Sequence, residues 1–334
     1  MGRASAWSDK RVRELAHEFV PAADEVWRLQ RGNNAESLFF QRSVNQGKVI
    51  TDDGSRQGLW VLSPGGQCLA QINSSNPDRV LQTLRQGLEN WNKLPDGARH
   101  LPGDLSIKPN HRWEDSYPEG GFILARYGRD LPRSEKKPGR KARWNKDFAW
   151  FTKAEARQWI SKDPAPGTQQ SLPEALALRL ARFSLVDNVR GQTLPFAPSE
   201  IKAAEVTIKV QARKDKQLTL QIVGNTRAES DGSWHLPNSM WSSDENLPHS
   251  METRLLGNAT FDLSTETFTH FDLLAVGWRT GRTKWNGRHD AAPGPIGFRF
   301  VLAPPKPRIA PTFLADYGVD WVQMPDDPRQ LKSL

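Results

Sequence analysis

The run GWRTGRTKWNGRHD (277–290) holds the densest set of side chains able to do chemistry: Arg279, Arg282, Lys284, Arg288, His289 and Asp290. Guanidinium forks recognise carboxylates and phosphates through paired N–H donors. A His beside an Asp can act as an acid–base pair, but neighbours on an extended chain point apart. Tertiary structure must therefore turn His289 and Asp290 together. Gly277, Gly281 and Gly287 punctuate the run as in a long connection between strands, and such loops on a rigid sheet often carry binding residues. The plainer alternative is a hairpin connection held by Arg–Asp pairs.

A second candidate is RYGRDLPRSEKKPGRKARWNKDFAWF (126–151). Residues 126–146 contain nine basic side chains and two acids, Asp130 and Glu135. Their net charge is +7, against +8 for the whole chain of 334 residues. Arg140, Lys141 and Arg143 run into Trp144, with Tyr127, Trp150 and Phe151 nearby. Cations interleaved with aromatics suit phosphate contact and base stacking, so nucleic acid or another polyanion is a candidate partner. The alternative is a solvated loop shaped by Pro132, Pro138 and Gly139, with the aromatics anchoring its ends.

Other sets are looser. His235, Asp244, Glu245 and His249 are the right types for zinc or calcium, but their spacing fits no defined site. The run His111 to Asp115 is equally loose. No nucleophile elbow, glycine-rich phosphate loop or His-Glu-x-x-His appears. Neither does a helix-turn-helix, zinc-finger or RNP signature. The reading therefore expects no catalytic residue, metal or cofactor. The single cysteine, Cys68, excludes an intramolecular disulfide framework. In CLAQI it shares a strand face with Ala70 and Ile72, where nothing lowers a thiol pKa, so it reads as a small apolar side chain. A one-Cys redox activity at Cys68, or an enzyme using 277–290, is the third functional alternative.

The elements that must position these groups follow from periodicity. Val12, Leu15, Ala16 and Phe19 line one face of a helix over 10–19, capped by Ser8 or Asp9. FVPAADEVW reads as extended, and AESLFFQRSV (35–44) as a short helix. RQGLWVLSPGGQCLAQIN (56–73) reads as a hairpin. Asn76 caps a helix with Pro77 at its first position and a seam of Leu81, Leu84, Leu88 and Trp91. GGFILARY is a strand, TKAEARQWI a short helix, and Ser171 with Glu174 a capping box. Alternation then predicts one hairpin across Lys214-Asp215-Lys216 and another around Ser264-Thr265. The end of TFTHFDLLAVGW is apolar on both faces, as in a central strand. GPIGFRFVLA is a further strand, and the Pro-rich stretch from Pro304 wraps the surface.

The hairpin and the helix that follows resemble the second half of a thioredoxin-like domain, over residues 5–95. That family's Cys-x-x-Cys would fall at Trp7 to Lys10 and its cis-proline at Arg56 to Gly58, and both are missing here. The resemblance thus implies the fold without the redox activity. RDLPR, WNKDFAWF, LVDNVRGQT and LLGNATFDL also resemble an uncharacterised bacterial family that joins such a head to a β-rich body.

The expected fold class is α+β. A thioredoxin-like domain (1–95) and a linker (96–120) precede a mainly antiparallel β-sandwich or barrel-like domain (121–303) and a tail (304–334). The expected function is non-catalytic binding or assembly, with nucleic acid or polyanion binding through 126–146 as an alternative. Thirteen Trp and many Arg, the types that anchor interfaces, suit a protein partner. With neither a signal peptide nor an apolar run of about 20 residues, the expectation is a cytoplasmic protein.

Overall fold

The computed structural model describes residues 6–24, 26–47, 56–100, 113–132, 144–233, 245–304, 306 and 308–315. The chain divides into two compact units, Met1–His111 and Arg112–Leu334.

In the first unit, α1 (Lys10–Ala16) starts where the Asp9 side chain accepts from the Arg11 N–H at 2.9 Å. Of the run FVPAADEVW (19–27), expected to be extended, Val26 and Trp27 instead begin α2 (Val26–Arg31). The reason is tertiary. The Gln41 side chain of α3 (Ala35–Val44) donates to the carbonyls of Leu29 and Gly32, satisfying the end of α2 from a distance. Strands β1 (Leu59–Leu62) and β2 (Cys68–Ile72) form the antiparallel hairpin. Asn76 then caps α4 (Pro77–Asn92), accepting from Asp78 and Arg79, and α5 (Asp96–Arg99) is one short turn. Val80, Leu81 and Leu84 of α4 bury against Val61 and Leu69 of the hairpin, with Val12 of α1. Gly87 allows that approach, since a Cβ there would lie 2.6 Å from a Val61 methyl.

The second unit is built on one antiparallel sheet. Its strands are β3 (Phe122–Asp130), β4 (Trp144–Phe151), β5 (Gln169–Ser171), β6 (Ile201–Lys214), β7 (Gln217–Ser230), β8 (His249–Asp262), β9 (Thr267–Gly281) and β10 (Gly294–Leu302). The order is β4-β3-β10-β9-β8-β7-β6-β5, with β4 and β5 at the two edges. An α+β chain with a large, mainly antiparallel sheet is therefore what the alternating pattern produced. Both expected hairpins form, and Asp215 takes the left-handed turn position at φ 54°.

Three short helices accompany the sheet: α6 (Lys153–Arg157), α7 (Glu174–Arg179), which runs into a wider turn over Leu180–Ser184, and α8 (Thr312–Ala315). The expected capping box at Ser171 and Glu174 is not formed. Ser171 lies in β5, and the next N–H, that of Leu172, donates to Val206 of β6, so sheet pairing claimed this backbone. The reciprocal box forms at Thr152 and Glu155 instead.

The inner face of the sheet buries the main core. Trp159, fully buried, meets the rings of Phe122, Phe151, Phe268 and Phe271 edge-on at centroid distances of 5.6–6.0 Å. Such edge-to-face contacts add to the area each ring buries. Part of the tail packs against the sheet: Phe313 stacks near Phe183, and the Trp150 indole donates to the Ile309 carbonyl at 3.0 Å. Residues 316–334 of that tail lie outside the described residues.

Two measurements test this packing. Trp159→Ala removes the hub of the aromatic cluster and should cost about 3–5 kcal/mol, read as a lower midpoint in denaturant. Cys68 is half-buried and burial raises its thiol pKa. It should therefore react with a disulfide reagent more slowly than free cysteine until the chain unfolds; native labelling as fast as free cysteine would refute the inert reading.

Candidate functional site

Strand polarity decides which connections meet. β3, β7 and β9 finish, and β4, β6, β8 and β10 begin, at one end of the sheet. The connections after β3, β7 and β9 therefore leave from that end, and the approach into β6 (185–200) arrives there. The end of β3 at Asp130 and the end of β9 at Gly281 thus lie at the same end of the sheet, although about 150 residues separate them in sequence.

Arg288 fixes this end. Its guanidinium reaches both oxygens of Asp130, at 2.7 and 2.9 Å, and both oxygens of Asp187, at 2.6 and 2.7 Å. Arg190 donates to the same Asp130 at 2.8 Å. Arg279 lies beside the pair, 3.9 Å from Asp130 and 3.7 Å from Asp187. Arg126 continues the network, donating to Asn188 at 2.5 Å, lying 3.7 Å from Asp147 and resting over the Phe298 ring. Among the described residues four guanidiniums face three carboxylates in this cluster, one positive charge in excess.

The cluster's protonation follows from its geometry. Burial alone would raise the Asp130 pKa, but the bonds from Arg288 and the charges of Arg288 and Arg190 outweigh it and hold the carboxyl below its usual range. Burial would lower Arg288 too, and its two aspartates reverse that and raise it. Burial dominates at Arg126, and burial with the Arg288 charge dominates at Arg279, so both guanidiniums are lowered.

The sequence candidates therefore separate. Arg279 and Arg288 are 5% and 2% exposed and are structural. Arg282, His289 and Asp290 stay accessible. His289 does not pair with Asp290: its Nδ1 lies 3.0 Å from Arg282 Nη1. A guanidinium only donates, so Nδ1 accepts and the neutral ring carries its proton on Nε2. Arg282 also lies 3.5 Å from Glu245. Trp144 starts β4, 51% exposed, with its ring 6.1 Å from that of Tyr127 and Lys146 over Tyr127. Arg140, Lys141 and Arg143 lie outside the described residues, as do His235, Asp244 and His111. Arg126, counted with the basic segment in the sequence, is core. Among the described residues no group of three His, Cys, Asp or Glu is placed to hold a metal, and no helix is long and apolar enough to cross a membrane.

The connection after β9 is also tied by its backbone. The Gln192 N–H donates to the Trp285 carbonyl at 3.0 Å, and a Cβ at Gly191 would lie 2.0 Å from that oxygen, so glycine is required there. Two hollows flank the connection. One is a cleft beside Glu200, Ser230, His249 and Trp285, with an enclosed volume of about 40 Å³. The other is an open hollow of about 290 Å³ among Gly281, Arg282, Arg288 and His289. The residues sequence reasoning missed are Asp187, Asn188 and Arg190. Their signal was three polar side chains set among Leu185, Val186 and Val189.

Arg288→Met would leave two buried carboxylates short of donors and should cost about 3–5 kcal/mol. The sign with pH follows from Asp130, whose native pKa is depressed. Its stabilisation is complete above the unfolded value of about 3.9 and is lost as pH falls through the native one. The gap between wild type and variant, measured by urea unfolding, should be widest near neutral pH and narrow below about pH 4. A gap independent of pH would contradict this account of the clamp. Comparison with protein-family models, curated proteins and solved structures found no match for this chain.

Proposed function

We propose that the chain is a non-catalytic binding protein that takes a polyanion at the loop end of its eight-stranded sheet. Single-stranded nucleic acid is the polyanion that uses the aromatic side chains as well as the cations. The carrying observation is the strand polarity, which brings the connection after β3 and the connection after β9 to one end. The first carries Arg133, Lys136, Lys137, Arg140, Lys141 and Arg143 against Glu135. The second presents Arg282, Lys284 and Trp285, with Lys284 over the Trp285 ring.

Exposed Trp144, Tyr127 and Trp278 extend this set onto the outer face of the sheet. Cations that track phosphates beside aromatic faces that stack on bases are the usual physics of single-strand binding. The first unit fits the reading as a redox-inactive thioredoxin-like domain. Its hairpin and α4 suit that fold, and its only thiol is a half-buried strand residue.

A second reading, a protein partner, is favoured by a different observation. Val223, Leu256, Leu274, Val276 and Trp278 form an uncovered apolar band across β7, β8 and β9. Strand β9, apolar on both faces and expected to be central, is indeed interior, yet this face of it meets solvent.

Fluorescence anisotropy of labelled oligonucleotides, at low and physiological salt, tests the first reading. Affinity should fall steeply with salt. Replacing Lys136, Lys137, Arg140 and Lys141 with Gln should flatten the log–log slope by up to about 3, at roughly 0.7 per phosphate contact. No binding at low salt would remove the polyanion reading and leave the protein partner.

A further inference from the structure

We propose that the hollow bounded by Gly281, Arg282, Arg288 and His289 is a site for a single phosphate group. This rests on the polyanion reading and names the group that anchors the ligand. The hollow has about 290 Å³ of space, and among the described residues no carboxylate lines it. Its remaining described lining, Leu247, Pro248 and Ala291, is apolar. An anion there would lose little to repulsion and would be partly shielded from water.

Three features give the hollow its sign. The first is the surplus positive charge of the buried network, for which Arg288 forms the wall. Four of the five N–H groups of Arg288 are spent on Asp130 and Asp187, so it contributes mainly field and shape. The second is the position within that network of Arg279, whose charge is already part of the surplus, two residues before Gly281 on the same strand. Among the described residues its Nε and Nη1 have no hydrogen-bond partner, although the residue is 5% exposed. Asp130 and Asp187 balance part of its charge at 3.9 and 3.7 Å, and the low dielectric around it screens the remainder weakly.

The third feature is a pair of free donors. Arg282 keeps N–H groups beyond the one directed at His289 Nδ1, and that contact places the His289 ring proton on Nε2. A guanidinium edge and an imidazole N–H side by side suit a tetrahedral oxyanion, which offers several acceptor oxygens at once. Gly281 holds this corner close to the sheet at φ 66°, where a Cβ would lie 1.9 Å from the Pro248 carbonyl. Among the described residues the competitor is Glu245, whose carboxylate stands 3.5 Å from Arg282 and is largely exposed, so a bound phosphate would displace an exposed and weak ion pair.

The test titrates inorganic phosphate into the full chain at constant ionic strength, following binding by calorimetry and the unfolding temperature. Wild type should bind saturably and gain thermal stability. Arg282→Gln should weaken binding about tenfold or more, as expected for a lost charged hydrogen bond. His289→Ala should weaken it less, and Glu245→Gln should tighten it. Arg282 is half-exposed and outside the Arg288 clamp, so its variant should fold.

No saturable phosphate binding by wild type, or equal affinity in Arg282→Gln, would overturn the site. Oligonucleotides with and without a 5′-terminal phosphate identify the source. Preference for the phosphorylated end, abolished by Arg282→Gln, places a nucleic-acid terminus in the hollow. Equal binding of both with a phosphate response assigns the hollow to free phosphate. Oligonucleotide binding without any response to inorganic phosphate removes the hollow and keeps the polyanion reading. Phosphate binding without oligonucleotide binding does the reverse.

Discussion

One guanidinium, that of Arg288, ties together three segments that share no local sequence. It bonds Asp130 at the end of β3 and Asp187 in the approach to β6, and it belongs to the connection between β9 and β10. Asp130 lies 158 positions from it and Asp187 lies 101. Burying these charges is costly, and a buried ion pair adds little net stability over an apolar replacement. What it adds is uniqueness. Here every oxygen of Asp130 and Asp187 meets a donor, and an arrangement that parted the three segments would leave a charge without one.

The sheet makes that clamp useful. Because the strands are antiparallel, alternate connections collect at one end, and the clamp holds one of them against the sheet. Arg279 and Arg288 are consumed internally, and Arg282, Lys284, Trp285 and His289 face outward. The division of labour within one fourteen-residue run follows from burial. The side chains directed at the inner face find aspartates, and those directed away are Arg282, which meets His289 and Glu245, and Lys284, which lies over the Trp285 ring.

The outer face presents a different surface. The rows Val223–Leu256–Leu274 and Arg254–Val276 cross neighbouring strands in register, so apolar and charged side chains alternate across it. The described part of the tail covers the region near Phe148 and Trp150, where Ala310 and Phe313 bury. Aromatic and aliphatic side chains left in water beside cations are the usual makings of a recognition surface.

Period, caps and turn residues are local properties, and the sequence by itself determined what depends on them: α1, α4, the first hairpin, and the two long hairpins of β6–β7 and β8–β9. Asn76 caps α4 because an Asn side chain reaches N–H groups two and three residues on, which needs no tertiary partner. Val206, Ile208 and Val210 face the core because side chains alternate along a strand. Where local signals were equivalent, tertiary structure decided. Ser171-x-x-Glu174 and Thr152-x-x-Glu155 carry the same capping letters, and pairing to β6 claimed the first. Residues 26–31 became helical because Gln41 supplied acceptors' partners from another helix. Most of all, the sequence marked 277–290 as rich in chemistry without separating its structural arginines from its accessible ones. Three of the segments that resembled the two-domain family, RDLPR, WNKDFAWF and LVDNVRGQT, carry Asp130, Asp147 and Asp187, the three acids of the network. An ion pair is set by distance in space, and spacing along the chain holds no record of which aspartate a given arginine will meet.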